Sequence, residues 1–309
     1  MTEQRKRVPI GIIGGSGLYE LEGMKILEEI EIETPFGTPS APIRIGELQG
    51  RRVAFLPRHG DHHQFNPSNV PYRANIWALK HLGVFWLITV SAVGSLKEEI
   101  APGDFCIPDN LIDKTYRRAN TFFDDLAVHV KLTHPFHPLL RNLLLETTRA
   151  EGIKVHDGGT YVCMEGPAFS TLAESELHRA WGASLIGMTA QPEARLAREA
   201  EICYATIALP TDYDVWKEDE ELEIEAIQEI LRQNISNVRK VLQAVIPAIP
   251  LDQEEQCDAY HALRFAIMTR PEAIPPGARR DLAPFLDKYF PPTASDTTAT
   301  TTPEPLEEI

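Results

Sequence analysis

Val70-Pro-Tyr-Arg-Ala-Asn-Ile-Trp-Ala-Leu-Lys-His-Leu-Gly83, followed at once by Val84-Phe-Trp-Leu-Ile-Thr-Val90, is the stretch that decides the fold. Its first part is rich in helix formers and stops at a glycine. Its second part is an unbroken apolar run of strand length, a pattern that suits a strand covered on both faces. A strand pattern, Arg52-Val-Ala-Phe-Leu-Pro57, lies upstream. Strand, helix, strand is a βαβ rhythm, and it places the chain in the α/β class.

Upstream, Val8-Pro-Ile-Gly-Ile-Ile-Gly14 reads as a buried strand feeding the turn Gly14-Gly15-Ser16-Gly17. A dinucleotide fingerprint from Gly15 would need glycine at position 20, which is Glu20. A nucleophile elbow on Ser16 would need glycine at 18, which is Leu18. What remains is a turn whose backbone N–H groups, with the Ser16 hydroxyl, could approach an anion, or a tight turn with no ligand. Residues 25–56 alternate short apolar stretches with turn chemistry and predict several strands, some antiparallel, so the sheet should be mixed.

The strand at 52–57 runs into Arg58-His59-Gly60-Asp61-His62-His63, the densest cationic cluster of the chain. An anion site fits best. Arg58 offers a planar fork matched to phosphate oxygens, with His59 as a second donor. A metal site, and a plain solvated loop, are the alternatives. Against the metal stands the guanidinium next to the first ligand and the lack of HExxH-like spacing.

Downstream, Ser91-Ala-Val-Gly-Ser95 reads as a second small-residue turn ending a strand, and 105–108 as a short strand. Residues 109–130 read as a long loop without period. A helix is expected from His134-Pro135 to Gly152 on the spacing of Leu140, Leu143, Leu144 and Thr147, then a strand at 158–164. Phe169 stands where it could stack on a base or staple a helix starting near Thr171. Residues 183–187 form another strand, Met188-Thr189 closes it, and Pro192-Glu193 starts a helix. The strand at 202–209 then enters Pro210-Thr-Asp-Tyr-Asp-Val-Trp216, where alternation in an extended chain would put Asp212 and Asp214 on one side. Such a pair can accept hydrogen bonds from amino groups and move a proton to a ring nitrogen; read alone, it is equally a solvated turn. A long amphipathic helix is expected over about 220–245, helices near 256–268 and 278–288, and a disordered Thr/Pro/Glu-rich tail at 291–309.

The 309 residues carry a formal net charge of −15, which repels nucleic acid and anionic lipid, so an anionic ligand must be small and locally held. No run approaches the roughly 20 apolar residues of a membrane span, and the start of the chain lacks a signal-peptide apolar region, so the cytoplasm is the expected location. The cysteines at 106, 163, 203 and 257 lack CxxC spacing and read as reduced packing residues.

The ordered set Ile12-Ile-Gly-Gly-Ser-Gly17, Pro57-Arg-His-Gly60, Asn75-Ile-Trp-Ala-Leu79, Gly94-Ser-Leu96, Pro102-Gly-Asp104, Glu165-Gly-Pro167, Gly187-Met-Thr189, Pro192-Glu193 and Thr211-Asp-Tyr-Asp-Val-Trp216 resembles the 5'-methylthioadenosine phosphorylases of the trimeric purine nucleoside phosphorylase family. The resemblance spans about residues 10–250. It implies one α/β domain over 1–290, with a mixed, partly barrel-like central sheet flanked by helices and a helical extension at 251–290, assembled as a homotrimer. The implied reaction is phosphate-dependent cleavage of methylthioadenosine to adenine and 5-methylthioribose 1-phosphate, without metal or organic cofactor. The alternative is a 6-oxopurine nucleoside or methylthioinosine phosphorylase.

Residue by residue, the resemblance assigns phosphate to Ser16, Arg58, His59, Ser91, Ala92 and Thr189. Met188 packs on the ribose, Phe169 and Ser170 lie beside the nucleoside, and Asp212 and Asp214 take the amino and N7 edge of the purine. Ile224, Ile227, His63 and, from a neighbouring subunit, His129 are assigned to the 5' pocket. Catalysis falls to Asp214, Asp212 and His59. Ser16 and Ser91 stand where threonine is common in the family, and Ala168 where arginine is frequent.

Overall fold

The computed structural model describes residues 7–217 and 224–292. Most of the expected tail and the first residues of the expected long helix lie outside them. One sheet of 11 strands organises the chain, and it is mixed, as the sequence predicts. β1 (Ile10–Gly14) lies parallel to β4 (Arg51–Pro57), whose antiparallel neighbour is β3 (Ile43–Leu48); β2 (Lys25–Ile30) closes that edge. The deciding stretch forms α1 (Tyr72–His81) and β5 (Trp86–Ser95), and β5 is parallel to β1, which completes the βαβ unit.

β5 is the strand on which the sheet forks. Trp86 to Thr89 pair with β1, whereas Gly94 and Ser95 pair antiparallel with β10 (Leu185–Gly187). Along its other edge it pairs parallel with β11 (Cys203–Asp212) from Trp86 to Gly94. Residues 90–93 therefore have no strand partner on the forked edge among the described pairings. β10 continues the sheet through β9 (Thr160–Met164) to β7 (Asn110–Lys114), while β11 leads to β6 (Phe105–Ile107) and β8 (Val155–Asp157). The branches leave the sheet open rather than closed into a barrel.

Alternation along the central strands sends side chains into two cores. Ile10, Ile12, Trp86, Ile88, Cys203 and Ala205 join the core under α2 (Pro138–Ala150) and α5 (Ile224–Ala248). Ile13, Leu87 and Tyr204 join the core under α1 and α4 (Ala190–Glu199). Gln191 is extended inside α4, so the helix proper begins at Pro192, as expected from sequence. In α5 the apolar face is the expected one: Ile235, Val238, Val241, Leu242 and Val245 are buried. Thr171 caps α3 (Leu172–Ala180) with a capping box to Glu174.

Three local expectations change. Residues 91–95 continue β5 instead of turning, because β11 pairs along them. The stretch 109–130 opens with β7, which pairs with β9; only from Thr115 onward is it irregular. Residues 256–268 form short 3-10 turns, Asp258–His261 among them, in place of one α-helix, and the second expected helix divides into α6 (Pro276–Asp281) and α7 (Ala283–Leu286).

The irregular segment after β7 is pinned by a buried ion pair. Arg118 donates through Nε to Glu165 Oε1 at 3.2 Å and through Nη1 to the carbonyls of Met188 and Gln191, each at 2.6 Å. Burial works against a charged Glu165. Hydrogen bonds from Ser68 and from the Tyr116 and Arg117 N–H groups, together with Arg118, outweigh it and hold the carboxyl well below the usual range. Arg118→Ala would strand that carboxylate, so unfolding should lose about 3–5 kcal/mol, read as a fall in Tm. A Tm matching that of the parent would show that the pair holds nothing in place.

Candidate active site

The ends of β1, β4, β5, β10 and β11 converge on a cavity of about 310 Å³, at the lower end of the roughly 300–1,000 Å³ usual for small-ligand sites. The fork in β5 makes it. Ser91, Ala92 and Val93 line the cavity where the strand has lost one neighbour and not yet gained the next, and Gly94, the first residue paired with β10, lines it beside them. A Cβ on Gly15 would lie 2.4 Å from the Val90 carbonyl oxygen and 3.0 Å from Arg58 Nη1, so the turn after β1 can close over the cavity only with glycine there.

One end is built for an anion. Ser16, Arg58, His59, Ser91, Ala92 and Thr189 all border it. Arg58 is fully buried. Its Nε and Nη2 donate to the two Glu193 oxygens at 2.9 and 3.0 Å, and Nη1 donates to Val90 O at 2.9 Å. Burial alone would disfavour the charge, but Glu193 outweighs it and the guanidinium is held more firmly protonated than free arginine. Of the five N–H bonds of a guanidinium, two remain for a ligand. Tyr204 donates to Glu193 Oε1 at 2.9 Å and accepts from Thr89 at 3.1 Å, which fixes the carboxylate. The hydroxyls of Ser91 and Thr189 share a hydrogen bond of 3.1 Å beside the guanidinium.

His59 differs from the donor expected. Its Nδ1 lies 2.8 Å from the Phe65 carbonyl oxygen, which can only accept, so Nδ1 carries the proton and Nε2 of the neutral ring is an acceptor. Burial first, then the charge of Arg58, lowers its pKa to about 4. The ring can therefore accept a hydrogen bond at Nε2. His63 stacks on it at 4.6 Å and takes its own partner from the Tyr19 hydroxyl at 2.8 Å.

The other end carries the acid pair. Asp212 ends β11 and Asp214 follows in a turn, with φ 54°, its N–H donating to Asp212 Oδ1 at 2.8 Å. The two carboxylates share the cavity because of this turn and not through extended alternation. Thr211 donates to Asp212 Oδ2 at 2.7 Å. Burial, with the Asp214 charge adding to it, raises Asp212 above the ordinary carboxylate range against those two hydrogen bonds. Asp214 Oδ2 is buried and has no partner among the described residues. A Cβ on Gly94 would meet Asp212 Oδ1 at 3.1 Å, so glycine there admits the pair. Asn234 of α5 donates to Pro210 O at 3.1 Å and ties the helix to the end of β11.

Met188 and Phe169 line the cavity between the two ends, Phe169 as an exposed rim residue. His63 and Ile227 line it too. Ile224 opens α5, and its side chain lies outside the described ones. Ser170 is not among the lining residues: it is buried behind Met164, its hydroxyl 3.8 Å from the sulfur; His129, expected to serve a neighbouring subunit, is exposed, and its N–H donates to Ala266 O. Glu193 and Thr211, each bonded to a site residue, were quoted in motifs without a role. The signal of Glu193 is a contact with Arg58 across 135 residues, which no spacing carries, whereas Thr211 bonds the residue next to it.

The profile of the phosphorylase superfamily matches residues 9–247. The chain is 52% identical over 284 residues to an S-methyl-5'-thioadenosine phosphorylase of Chloroflexus aurantiacus, covering 91% of this chain and 98% of that one. It is 47% identical to an S-methyl-5'-thioadenosine phosphorylase of Synechocystis, over 92% of this chain and 88% of that one. Among solved structures it is similar to a methylthioadenosine phosphorylase from an antarctic soil metagenomic library, with TM-score 0.86 and 45% identity over 91% of this chain and 99% of that one. It is also similar to the methylthioadenosine phosphorylase of Schistosoma mansoni in complex with adenine, with TM-score 0.80 and 35% identity over 85% and 99%.

The Arg58–Glu193 geometry yields a prediction. Glu193→Gln keeps the size but loses the charge that orients the fork, so the KM for phosphate should rise by roughly tenfold, in line with the ~1.5–3 kcal/mol of a hydrogen bond to a charged group. The nucleoside KM should change much less. Equal rises in both, in initial-rate measurements, would refute the assignment of Glu193 to the anion end.

Proposed function

Because the chain belongs to the phosphorylase superfamily, we propose that the cavity cleaves the N-glycosidic bond of 5'-methylthioadenosine with inorganic phosphate, giving adenine and 5-methylthioribose 1-phosphate. The observation that carries this reading is the cavity's division: a cationic and hydroxyl-lined end faces two carboxylates across the space of a sugar. Names of relatives at about half identity point the same way.

The chemistry follows from what each end offers. As the C1'–N9 bond lengthens, positive charge grows on the sugar and negative charge on the purine. Phosphate, held by Arg58, Ser16, Ser91, Thr189 and the Ala92 backbone, attacks C1' from the face opposite the base, and its charge stabilises the oxocarbenium-like transition state. His59 accepts a hydrogen bond from the phosphate hydroxyl. Asp214, whose Oδ2 is buried and unpartnered, passes a proton to N7, so that the base leaves neutral. Asp212 accepts from the 6-amino group, which favours adenine over a 6-oxopurine. Met188 covers the ribose, and Ile227 with Ile224 forms the apolar end that takes the methylthio group.

The reaction needs no metal or organic cofactor, since phosphate and a carboxyl proton supply all that changes hands. We place the enzyme in the cytoplasm as a homotrimer. An exposed apolar strip at Phe169, Leu172, Leu177 and Trp181 supports a subunit contact, with His129 of a neighbouring subunit at the 5' pocket and Ser170 behind the nucleoside. Among the described residues no helix is long and apolar enough to cross a membrane.

Phosphate-dependent release of base from methylthioadenosine, adenosine, inosine and methylthioinosine tests the assignment. Methylthioadenosine should have the highest kcat/KM, and a preference for inosine would sink it. Two variants test the division of labour: Asp214→Asn should cut kcat by about 10²-fold or more with little change in phosphate KM, as loss of a positioned proton donor does. Arg58→Ala should chiefly raise the phosphate requirement. Equal effects of both on both quantities would contradict it.

A further inference from the structure

Far along the sequence from the cavity residues, the fold gathers donors that no spacing connects. His137, at the N-terminal cap of α2, Cys203, the first residue of β11, and Cys257, between two 3-10 turns, are all buried, and their ligating atoms lie within 4.8 Å of one another. His137 Nε2 is 3.0 Å from Cys257 Sγ and 2.9 Å from Asp258 Oδ1. Two thiols and one imidazole thus face a common point, and the exposed Asp258 carboxylate touches the imidazole from outside that close set. We propose that His137, Cys203, Cys257 and Asp258 form a tetrahedral zinc site that clamps the C-terminal segment to the sheet.

The donor set selects the metal. Two sulfurs and an imidazole suit zinc and exclude magnesium or calcium, which take oxygen. Zn–S distances of about 2.3 Å and Zn–N distances of about 2.0 Å put tetrahedral ligands roughly 3.5 Å apart, so His137, Cys203 and Cys257 need only small shifts to admit the ion, and Asp258 swings in from beside His137 as the fourth ligand. The charge also balances: two thiolates and one carboxylate meet a dication and Arg198, whose Nη1 is 3.3 Å from Asp258 Oδ1 while Nη2 donates to His134 O at 2.7 Å.

The ligands stand on backbone that is already fixed. His137 N–H donates to Tyr204 O at 2.8 Å, and Cys203 N–H to Phe85 O at 2.7 Å, which ties both to the central strands. Cys257 N–H donates to Glu254 O at 3.0 Å, and the turn it closes is held to the N-terminal end of the described chain by the Arg7–Glu254 ion pair. The segment so clamped has only short helical turns, contributes no strand to the sheet, and gains most from a staple. Cys106 and Cys163 gather no such set among the described residues.

The full-length chain, stripped with chelator under reducing conditions and given Zn2+ in slight excess, should retain one zinc per chain after gel filtration, by elemental analysis, and its Tm should rise. Co2+ in place of zinc should give the intense sulfur-to-cobalt charge-transfer absorption of thiolate ligation. Cys203→Ser and Cys257→Ser should each lose the retained metal and that absorption, whereas Cys106→Ser should keep both. Failure of the parent protein to retain zinc or to show the cobalt–thiolate band would overturn the site, and the parent's spectrum decides even where a variant fails to fold. A Cys203–Cys257 disulfide in the isolated protein, with no zinc uptake after reduction, would overturn it equally.

Discussion

Burying a guanidinium at the end of a central strand carries a desolvation penalty of several kcal/mol, and the surroundings of Arg58 are arranged to meet it. Glu193 takes two of its N–H bonds, the Val90 carbonyl a third, and Tyr204 and Thr89 hold Glu193 in turn. Those partners sit on β5, α4 and β11, and Arg58 itself directly follows β4. The ion pair is therefore a pin through the centre of the molecule, and it sets where the sheet edge ends and the cavity begins. A well-packed apolar pair could stabilise the same junction as well; what it could not do is leave two aimed N–H bonds at the cavity wall.

The second constraint is geometric. β5 keeps β11 along one edge while exchanging β1 for β10 along the other, and between those partners Ser91, Ala92 and Val93 line the cavity. A mixed sheet makes such an exchange possible, because β10 runs antiparallel to β5 while β1 runs parallel. The small residues from Ser91 to Ser95 suit it: Gly94 admits the Asp212 and Asp214 side chains, and Ser91 reaches Thr189 across the gap. Anion end and acid end are thus parts of one strand interruption. Their separation is set by strand spacing and not by loop length.

Along the chain, what could be read in advance was what repeats locally. The βαβ rhythm from 52 to 90, the apolar face of α5, the capped start of α3 and the glycine-bounded strand at 10–14 rest on periodicity and turn chemistry within one segment, and they stand in the fold as read. Arginine, histidine and small hydroxyl residues at strand ends read as an anion site, and Ser16, Arg58, His59, Ser91, Ala92 and Thr189 line one cavity in the fold. Where reading failed, a distant partner had overridden the local signal. Residues 91–95 look like a turn and are strand because β11 pairs with them; residues 110–114 look like loop and are strand because β9 does.

By itself the sequence determined the α/β class, the order of most elements and the residue types, Arg58, Asp212 and Asp214 among them, that meet in one cavity. The tertiary structure alone decided how those ends face each other, that a turn rather than an extended strand brings the two aspartates together, and that His59 presents a lone pair rather than a proton. It alone set Glu193 behind Arg58, and His137, Cys203 and Cys257 around one point. The reason is common to all of these. Residue type and spacing encode what a side chain can do, but its partner's identity, its desolvation and its tautomer depend on atoms that folding brings close, from two residues away at Asp212 and Asp214 or six at His59 and Phe65 to 135 at Arg58 and Glu193.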